Sequence, residues 1–188
     1  MEPRGSGQSG IRYPHETPPA PGTATEIAPG VLWMRLPLPM ALDHVNVYAL
    51  DDGDGWTVVD TGFDGRKSRA VWASLLAGPL GGRPVHRVIV THYHPDHVGL
   101  AGWFRSRGAA LLATRTTWLL ARMLTLDEHE VPLPETQAYW RDAGMAEERI
   151  ATLASQRPFN FADCVALLPL GYTRIVDGET LRFGGRDW

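Results

Sequence analysis

Three of the chain's seven histidines lie in one short segment, Thr91-His92-Tyr93-His94-Pro95-Asp96-His97. His92 and His94 are two residues apart, so on an extended backbone both side chains project to the same side. Pro95 favours an extended conformation for His94 and suits the first position of a helix. Asp96 and His97 then fall in the first helical turn and point elsewhere. The segment therefore directs two imidazoles at one point, and a carboxylate and an imidazole at a neighbouring point.

The residue types in this segment suit a pair of metal ions. Imidazole and carboxylate groups bind zinc, and also iron or manganese. One loop that carries both kinds of group can serve two ions a few ångströms apart. A lone histidine is usually structural, but three histidines and an aspartate between a buried strand and a helix are improbable by chance. The candidate ligands are His92, His94, Asp96 and His97.

The segments around these histidines predict an α/β fold. Residues 85–90 have a Val-Ile-Val core that is typical of a strand buried on both faces, and 98–107 follow as a helix. Upstream, strands at about 45–50 and 56–59 flank a Gly/Asp turn, and a helix over 67–76 leads on to the buried strand. The order strand, helix, strand is a crossover, which places these strands in one sheet.

The rest of the chain divides into an arm, a domain and an insert. Residues 1–26 are rich in Gly, Pro, Ser and Thr and predict a flexible arm. A single domain is expected over 27–188, with a helical insert at about 114–156. This insert either roofs the site and sets specificity or packs on the sheet in the ordinary way. Three apolar residues of the insert share a helix face: Leu119, Met123 and Leu126.

Three stretches resemble one known family. Residues 91–99 resemble the H-x-H-x-D-H signature of the metallo-β-lactamase-fold hydrolases. Val59-Asp60-Thr61-Gly62 is similar to that family's V-D-T-G turn on an earlier strand. The run 173–183 contains Asp177-Gly178, a strong hairpin signal in a stretch similar to the hairpin before the family's next metal ligand. The resemblance covers about 27–188 and implies an αββα sandwich.

Carried over residue by residue, the resemblance implies two metal sites. His92 and His94 would hold one divalent ion, and Asp96 and His97 the other, with Zn²⁺ expected and Fe or Mn as alternatives. His97 fits the dinuclear branches better than the true β-lactamases of this fold. Those branches include hydroxyacylglutathione hydrolases, lactonases, sulfatases and tRNA-processing nucleases, of which the first two are our expectation. The family also contains di-iron members that handle oxygen.

The chain departs from the family pattern in one respect. The family needs a further histidine for the first site, in a G-H-S or G-H-T context, and a bridging aspartate and a last histidine for the second. None of the remaining histidines has that context: His15, His44, His86 and His129. We therefore expect a truncated chain or a natural fragment, the N-terminal half of the sandwich, which binds metal weakly and hydrolyses little alone.

Three functional hypotheses follow from these features. The first is a metal-dependent hydrolase of a small ester, thioester or lactone, in which a metal-activated hydroxide attacks the substrate. In this mechanism Asp96 is a ligand and also steers the proton, which makes it the candidate catalytic residue. The second is a di-iron oxidoreductase on the same fold, which metal content would distinguish. The third is a catalytically incomplete interaction fragment.

The composition and net charge of the chain limit the classes of partner that we expect. With 44% hydrophobic and 21% charged residues, the chain has a globular rather than a disordered composition. A net charge of −3 argues against nucleic acid as a partner. No secretory signal and no apolar run of membrane-spanning length is visible, so no membrane partner is expected. A small-molecule substrate is expected, with homo-oligomerisation left open, and the single cysteine favours a cytoplasmic location.

Four further residues carry alternative interpretations. Asp60 either orients a ligating histidine or bonds its own local backbone as a turn residue. Asp43 and His44 either edge the pocket or, as we favour, belong to a solvated loop. Cys164 is interpreted as a small buried apolar residue rather than as a nucleophile.

Overall fold

A computed structural model describes residues 14–188 and contains a seven-stranded mixed sheet. Its strands lie side by side in chain order: β1 Thr25–Ala28, β2 Val31–Pro37, β3 His44–Asp51, β4 Trp56–Val59, β5 Val85–Val90, β6 Ala110–Ala113 and β7 Thr173–Arg174. Strands β1 to β4 form an antiparallel meander, whereas β4 to β7 are parallel. A separate hairpin pairs β8 Arg182–Phe183 with β9 Arg186–Asp187. The predicted α/β class is confirmed.

Helices connect the parallel strands and form the insert. They are α1 Arg66–Ala77, α2 Pro95–Val98, α3 Ala101–Arg105, α4 Arg115–Leu126, α5 Pro134–Asp142 and α6 Glu147–Ala154, followed by a 3-10 turn at Phe161–Asp163. Across the part of the chain that the structure describes, none of the helices is long and apolar enough to cross a membrane.

The main core lies between one face of the sheet and helices α1 and α3. Because side chains alternate along a strand, every second residue points to this face. Four of them are aligned across neighbouring strands and buried: Ala49, Val58, Val88 and Leu111. From the helices, the rings of Trp72 and Phe104 meet edge to face at 4.8 Å between centroids. This geometry is favourable for aromatic pairs and fills the layer.

The helix predicted over 98–107 is interrupted after α2. The backbone N–H of Leu100 leaves the helical pattern and donates to the side-chain oxygen of Thr61 at 3.0 Å and to the Gly62 carbonyl at 3.2 Å. A Cβ atom on Gly99 would lie 2.4 Å from that Gly62 carbonyl oxygen, so only glycine fits here. The close approach of the loop after β4 therefore divides the predicted helix into α2 and α3.

The hairpin predicted around Asp177-Gly178 is wrong in its pairing. These residues form a tight turn, but β7 pairs in parallel with β6, and the hairpin occurs later, with Gly184–Gly185 between β8 and β9. Phe183 is buried, and the Arg87 guanidinium lies 5.7 Å from its ring centroid. The turn therefore forms where the sequence places it, but the open edge of β6 and the burial of Phe183 determine which strands pair.

Helices α4, α5 and α6 occupy the range of the predicted insert. Thr114 caps α4, because its Oγ1 accepts a hydrogen bond from the Thr117 backbone N–H at 3.1 Å. The buried stripe of α4 consists of small residues: Thr117, Ala121 and Thr125. The apolar face identified in the sequence is the outer one, with Leu119, Met123 and Leu126 exposed by 50%, 54% and 60%.

The predicted arm is described only in part. Residues 1–13 lie outside the described residues. Farther along, Pro19 is buried, and β1 begins at Thr25, inside the range assigned to the arm, because it pairs antiparallel with β2. The ordered sheet therefore starts slightly earlier than the composition suggests.

Replacing Trp72 with phenylalanine is expected to destabilise the domain. Trp72 is fully buried, and its Nε1 donates a hydrogen bond to the Thr61 carbonyl at 2.8 Å. Trp72→Phe keeps much of the apolar packing but leaves that carbonyl without its donor, which costs about 1–3 kcal/mol. Urea denaturation measures the change. Trp140→Phe is the control, since within residues 14–188 the Trp140 indole donates no hydrogen bond; equal losses in both variants would contradict this account.

Candidate metal centre

Two loops that carry the motifs meet at one edge of the sheet. β4 and β5 are parallel, with Val59 opposite Ile89, so the residues that follow both strands leave the sheet on the same side. Asp60 comes directly after β4, and the histidine segment comes directly after β5. This carboxyl edge is the usual place for ligands in open α/β sheets.

Within the histidine segment, the structure brings all four candidate ligands together. The backbone at His94 is extended (φ −59°, ψ 144°) and α2 begins at Pro95, as the sequence predicts. The ring centroid of His92 lies 4.6 Å from that of His94 and 4.0 Å from that of His97. Asp96 Oδ2 lies 3.3 Å from Nε2 of His97. Three imidazoles and one carboxylate therefore form one cluster.

Asp60 holds this cluster in place from the neighbouring loop. Its Oδ1 accepts the Thr91 backbone N–H at 2.9 Å, and its Oδ2 accepts the Thr91 hydroxyl at 2.8 Å. The same Oδ2 lies 2.8 Å from Nδ1 of His97. Of the two interpretations left open by the sequence, these contacts support the orienting one. They reach more than thirty residues along the chain, so they are not local turn bonds.

The backbone of Asp60 is itself unusual. Its φ is +60°, a left-handed conformation that few residues other than glycine adopt, with Asp and Asn among the exceptions. Its side chain is almost fully buried. A buried carboxylate requires hydrogen-bond donors, and Thr91 and His97 supply them. The strain and the burial are therefore both compensated by the contacts that orient His97.

Thr61 forms a second link between the loops, which the sequence analysis missed. Its backbone N–H and its hydroxyl both donate to the His97 carbonyl at 2.8 Å. Its carbonyl accepts the Trp72 indole N–H, so the loop is tied to the core. The only signal in the sequence was the V-D-T-G resemblance, which does not assign this role to the threonine. Thr91 was missed in the same way.

The pKa values of two motif histidines move in opposite directions. Burial lowers the pKa of His97, but the hydrogen bond and charge of Asp60, together with the charge of Asp96, outweigh it and raise the pKa. Burial, and then the neighbouring His97 and His94 rings, lower the pKa of His92. A lowered pKa keeps His92 uncharged at neutral pH, and uncharged imidazole is the form that binds metal ions.

The donor types in the cluster fit a divalent metal. His97 uses Nδ1 for Asp60, which leaves Nε2, beside Asp96, available to bind a metal ion. Metal-binding histidines are commonly oriented by a carboxylate in this way. Nδ1 of His92 lies 3.0 Å from the Thr91 hydroxyl. Its other ring nitrogen, Nε2, is therefore the one available to bind a metal ion. Over residues 14–188, no three His, Cys, Asp or Glu side chains converge tightly enough to hold an ion by themselves. The described residues thus supply suitable donors without a closed ligand set.

The other histidines and Cys164 stand outside this cluster. His44 begins β3 at the same sheet edge, since β3 runs opposite to β4, and it pairs with its neighbour Asp43. His86 pairs with an aspartate at the far end of β5, and His129 lies in the insert. Cys164 is buried, which confirms its interpretation as a small core residue.

Comparisons with known proteins agree with this geometry. A sequence profile described as "Metallo-beta-lactamase superfamily" matches residues 40–176. The crystal structure of a beta-lactamase domain protein from Burkholderia ambifaria is similar with a TM-score of 0.80 and 33% identity, over 94% of this chain and 51% of that chain. A metallo-beta-lactamase family protein from Thermus thermophilus has a TM-score of 0.66 and 28% identity, over 86% of this chain and 51% of that chain.

One curated protein is similar in sequence over part of the chain. The probable metallo-hydrolase YqjP of Bacillus subtilis (strain 168) is 36% identical over 75 residues, which are 39% of this chain and 23% of that protein. The chain spans about half the length of the two solved relatives.

The matched residues 40–176 include strands β3 to β7 and the histidine segment at the carboxyl edge of the sheet. The chain belongs to the Metallo-beta-lactamase superfamily. Its curated relative from Bacillus subtilis is named a probable metallo-hydrolase. The family resemblance found in the sequence is confirmed.

Cys164 is expected to resist thiol reagents while the protein is folded. Burial raises the pKa of its thiol to about 12. Because only the thiolate reacts, and almost no thiolate is present at about pH 8, the folded protein should react very slowly. The rate of labelling with a chromogenic disulfide measures the reactivity of Cys164. We expect labelling to be slow in the native protein and complete in concentrated urea. Ser155→Cys adds an exposed thiol as the control and should label at once. Equal rates for both thiols would contradict the buried position.

Asp60→Asn is expected to weaken zinc binding about 10- to 100-fold, the usual effect of removing a carboxylate that orients a metal ligand. Asparagine tolerates the left-handed backbone, so the fold should persist. The negative charge that Asp60 places beside His97 is lost. Zinc titration against a competing chelator gives the affinity, and circular dichroism checks the fold. Asp54→Asn removes an exposed carboxylate that pairs with His86 and serves as the control. Unchanged affinity in Asp60→Asn would show that Asp60 does not act on the metal ligands.

Proposed function

We propose that this chain carries the catalytic motif of a metal-dependent hydrolase that acts on a small ester, thioester or lactone. Within the family, we assign it to the hydroxyacylglutathione hydrolase-like or lactonase-like branch. The observation that carries the proposal is the carboxylate–imidazole chain from Asp60 to His97 to Asp96. It orients His97 Nε2 toward the same cluster that His92 and His94 enter from β5.

The four motif side chains would hold the metal ions. His92 and His94 would bind one divalent ion and Asp96 and His97 a second, with zinc as the expected metal and iron or manganese as alternatives. Bound ions of this kind supply a Lewis acid and a hydroxide nucleophile at neutral pH. Because the described residues do not close a ligand set, we expect binding to the 188-residue chain to be weak.

The chain's own residues orient the ligands and move the proton. Thr91 donates two hydrogen bonds to the carboxylate of Asp60, and the same carboxylate accepts a hydrogen bond from Nδ1–H of His97. Asp96 is the catalytic residue of this proposal: its carboxylate would take the proton released when water becomes hydroxide, and would pass it to the oxygen or sulfur of the leaving group. The side chains of Asp96 and His97 are 24% and 23% exposed, so a small substrate can reach them while most of the cluster stays covered.

A small, uncharged reacting group fits the charge of the molecule. The net charge is −3, and a protein that binds nucleic-acid phosphates usually has a basic surplus. This favours the ester, thioester and lactone substrates over the tRNA substrates that other branches of the family process.

Metal content and turnover test the proposal together. The 188-residue chain, supplied with excess zinc, is assayed with p-nitrophenyl acetate, an acyl-glutathione thioester and γ-butyrolactone. We expect slow, zinc-dependent hydrolysis of at least one of them, abolished by a chelator, since the chain alone is expected to bind metal weakly. Asp96→Asn should lower it about 10²- to 10⁴-fold, the usual contribution of a proton-transfer group. His94→Ala should lower zinc content as well as turnover.

His86→Ala is the matched control, because His86 lies at the opposite end of β5 and should leave both quantities unchanged. Zinc-independent turnover, an active Asp96→Asn variant, or no hydrolysis of any of the three substrates would contradict the proposal. Tight iron binding with oxygen consumption and no hydrolysis would instead support the di-iron oxidoreductase.

A further inference from the structure

The helical insert contains a cavity of about 440 Å³, within the usual size range of small-molecule pockets. None of its lining residues belongs to the histidine segment. The walls come from the end of α4, from α5, and from the segment before the 3-10 turn. Three aromatic side chains line it: Trp140, Phe159 and Phe161. The cavity is therefore a second concave site with a largely apolar wall.

The charged groups on this wall are acidic. Asp127 and Glu135 line the cavity, and no lysine or arginine does. Arg157 lies nearby in sequence but is engaged in ion pairs, the shortest being 2.8 Å to Asp163. His129 also lines the cavity, with its Nε2 bonded to Asp127 Oδ1 at 2.9 Å. Glu135 therefore presents a carboxylate beside the aromatic rings, and Asp127 adds a second one that is shared with His129.

The walls are held together without a ligand. Asn160 is 4% exposed, and its Oδ1 accepts the His129 backbone N–H at 2.8 Å. Its Nδ2 donates to the His129 carbonyl at 3.0 Å. The backbone N–H of Asn160 in turn donates to Asp163 at 2.9 Å. The two hydrogen bonds between Asn160 and His129 join segments about thirty residues apart in the chain. They preform the cavity before a ligand binds, which lowers the entropy cost of binding.

We propose that this cavity binds a small organic ammonium ion with an apolar body. Aromatic faces attract ammonium groups, most strongly the indole of tryptophan, and Trp140 is among the residues that line the cavity. Asp127 and Glu135 supply the opposite charge. An anionic ligand would meet two carboxylates and neither a lysine nor an arginine, so the same wall disfavours it. This site is separate from the histidine cluster and does not depend on the proposed hydrolase activity.

The probe is benzyltrimethylammonium, and phenylacetate is its comparison, because the two have the same ring and opposite charge. Isothermal titration of the 188-residue chain at low salt should show saturable binding of benzyltrimethylammonium and at least about tenfold weaker binding of phenylacetate. Trp140→Leu and Glu135→Gln should each weaken binding of benzyltrimethylammonium about three- to tenfold, the range expected for a single cation–π or surface-charge contact.

Two variants outside the cavity serve as matched controls. Tyr139→Leu removes the neighbouring aromatic ring of α5, which is 70% exposed and does not line the cavity. Glu148→Gln removes an exposed carboxylate on α6. Both should bind the probe as the unsubstituted chain does. Equal binding of phenylacetate, equal losses in the controls, or no saturable binding of benzyltrimethylammonium would each overturn the proposal. Hydrolysis assays on the same variants report separately on the metal centre.

Discussion

The buried carboxylate of Asp60 is the interaction on which the candidate site depends. It lies at the end of β4, yet within residues 14–188 its side-chain partners come from the segment that follows β5: the Thr91 N–H and hydroxyl, and Nδ1 of His97 in α2. A buried charge without partners is strongly unfavourable, so the two loops are constrained to one mutual arrangement. That arrangement determines which ring nitrogen of His97 faces the cluster.

A second layer of contacts transmits this arrangement to the core. Thr61 bonds the backbone of His97 with its N–H and hydroxyl, and it accepts the indole N–H of Trp72 from α1. Gly99 allows the loop after β4 to pass within contact distance of the end of α2. The position of the motif histidines is therefore coupled to the packing of α1 on the sheet. Core substitutions far from the histidines should consequently alter the site through this layer.

The insert adds a chemically different region to the same fold. Its first helix begins just after β6, whose last residue, Ala113, lies opposite Val90 of β5. The insert therefore starts at the sheet edge that carries the histidines. Its outer apolar face, with Leu119 and Met123, is exposed, while small residues face inward. The acidic, aromatic cavity lies farther along the insert, between α4, α5 and the 3-10 turn, so the two proposed sites lie in different parts of the chain.

Local rules determined what the sequence could predict. The extended backbone at His94 and the helix that begins at Pro95 follow from proline sterics, which act on adjacent residues. The strand pattern around β5 and the helical character of the insert follow from periodicity within one element. These features predicted the α/β class and the clustering of the motif side chains without reference to the rest of the chain.

Only the tertiary structure decided which distant segments meet. The role of Asp60 depends on bonds to residues 31 and 37 positions away, and local sequence preferences do not act over such distances. The late hairpin was misplaced for the same reason: Asp177-Gly178 forms its turn, but the free edge of β6 and the burial of Phe183 decide the pairing. Periodicity likewise placed Leu119 and Met123 on one face of α4 without showing which face packs. Packing selects among local conformations that are close in energy, and that selection depends on the whole fold.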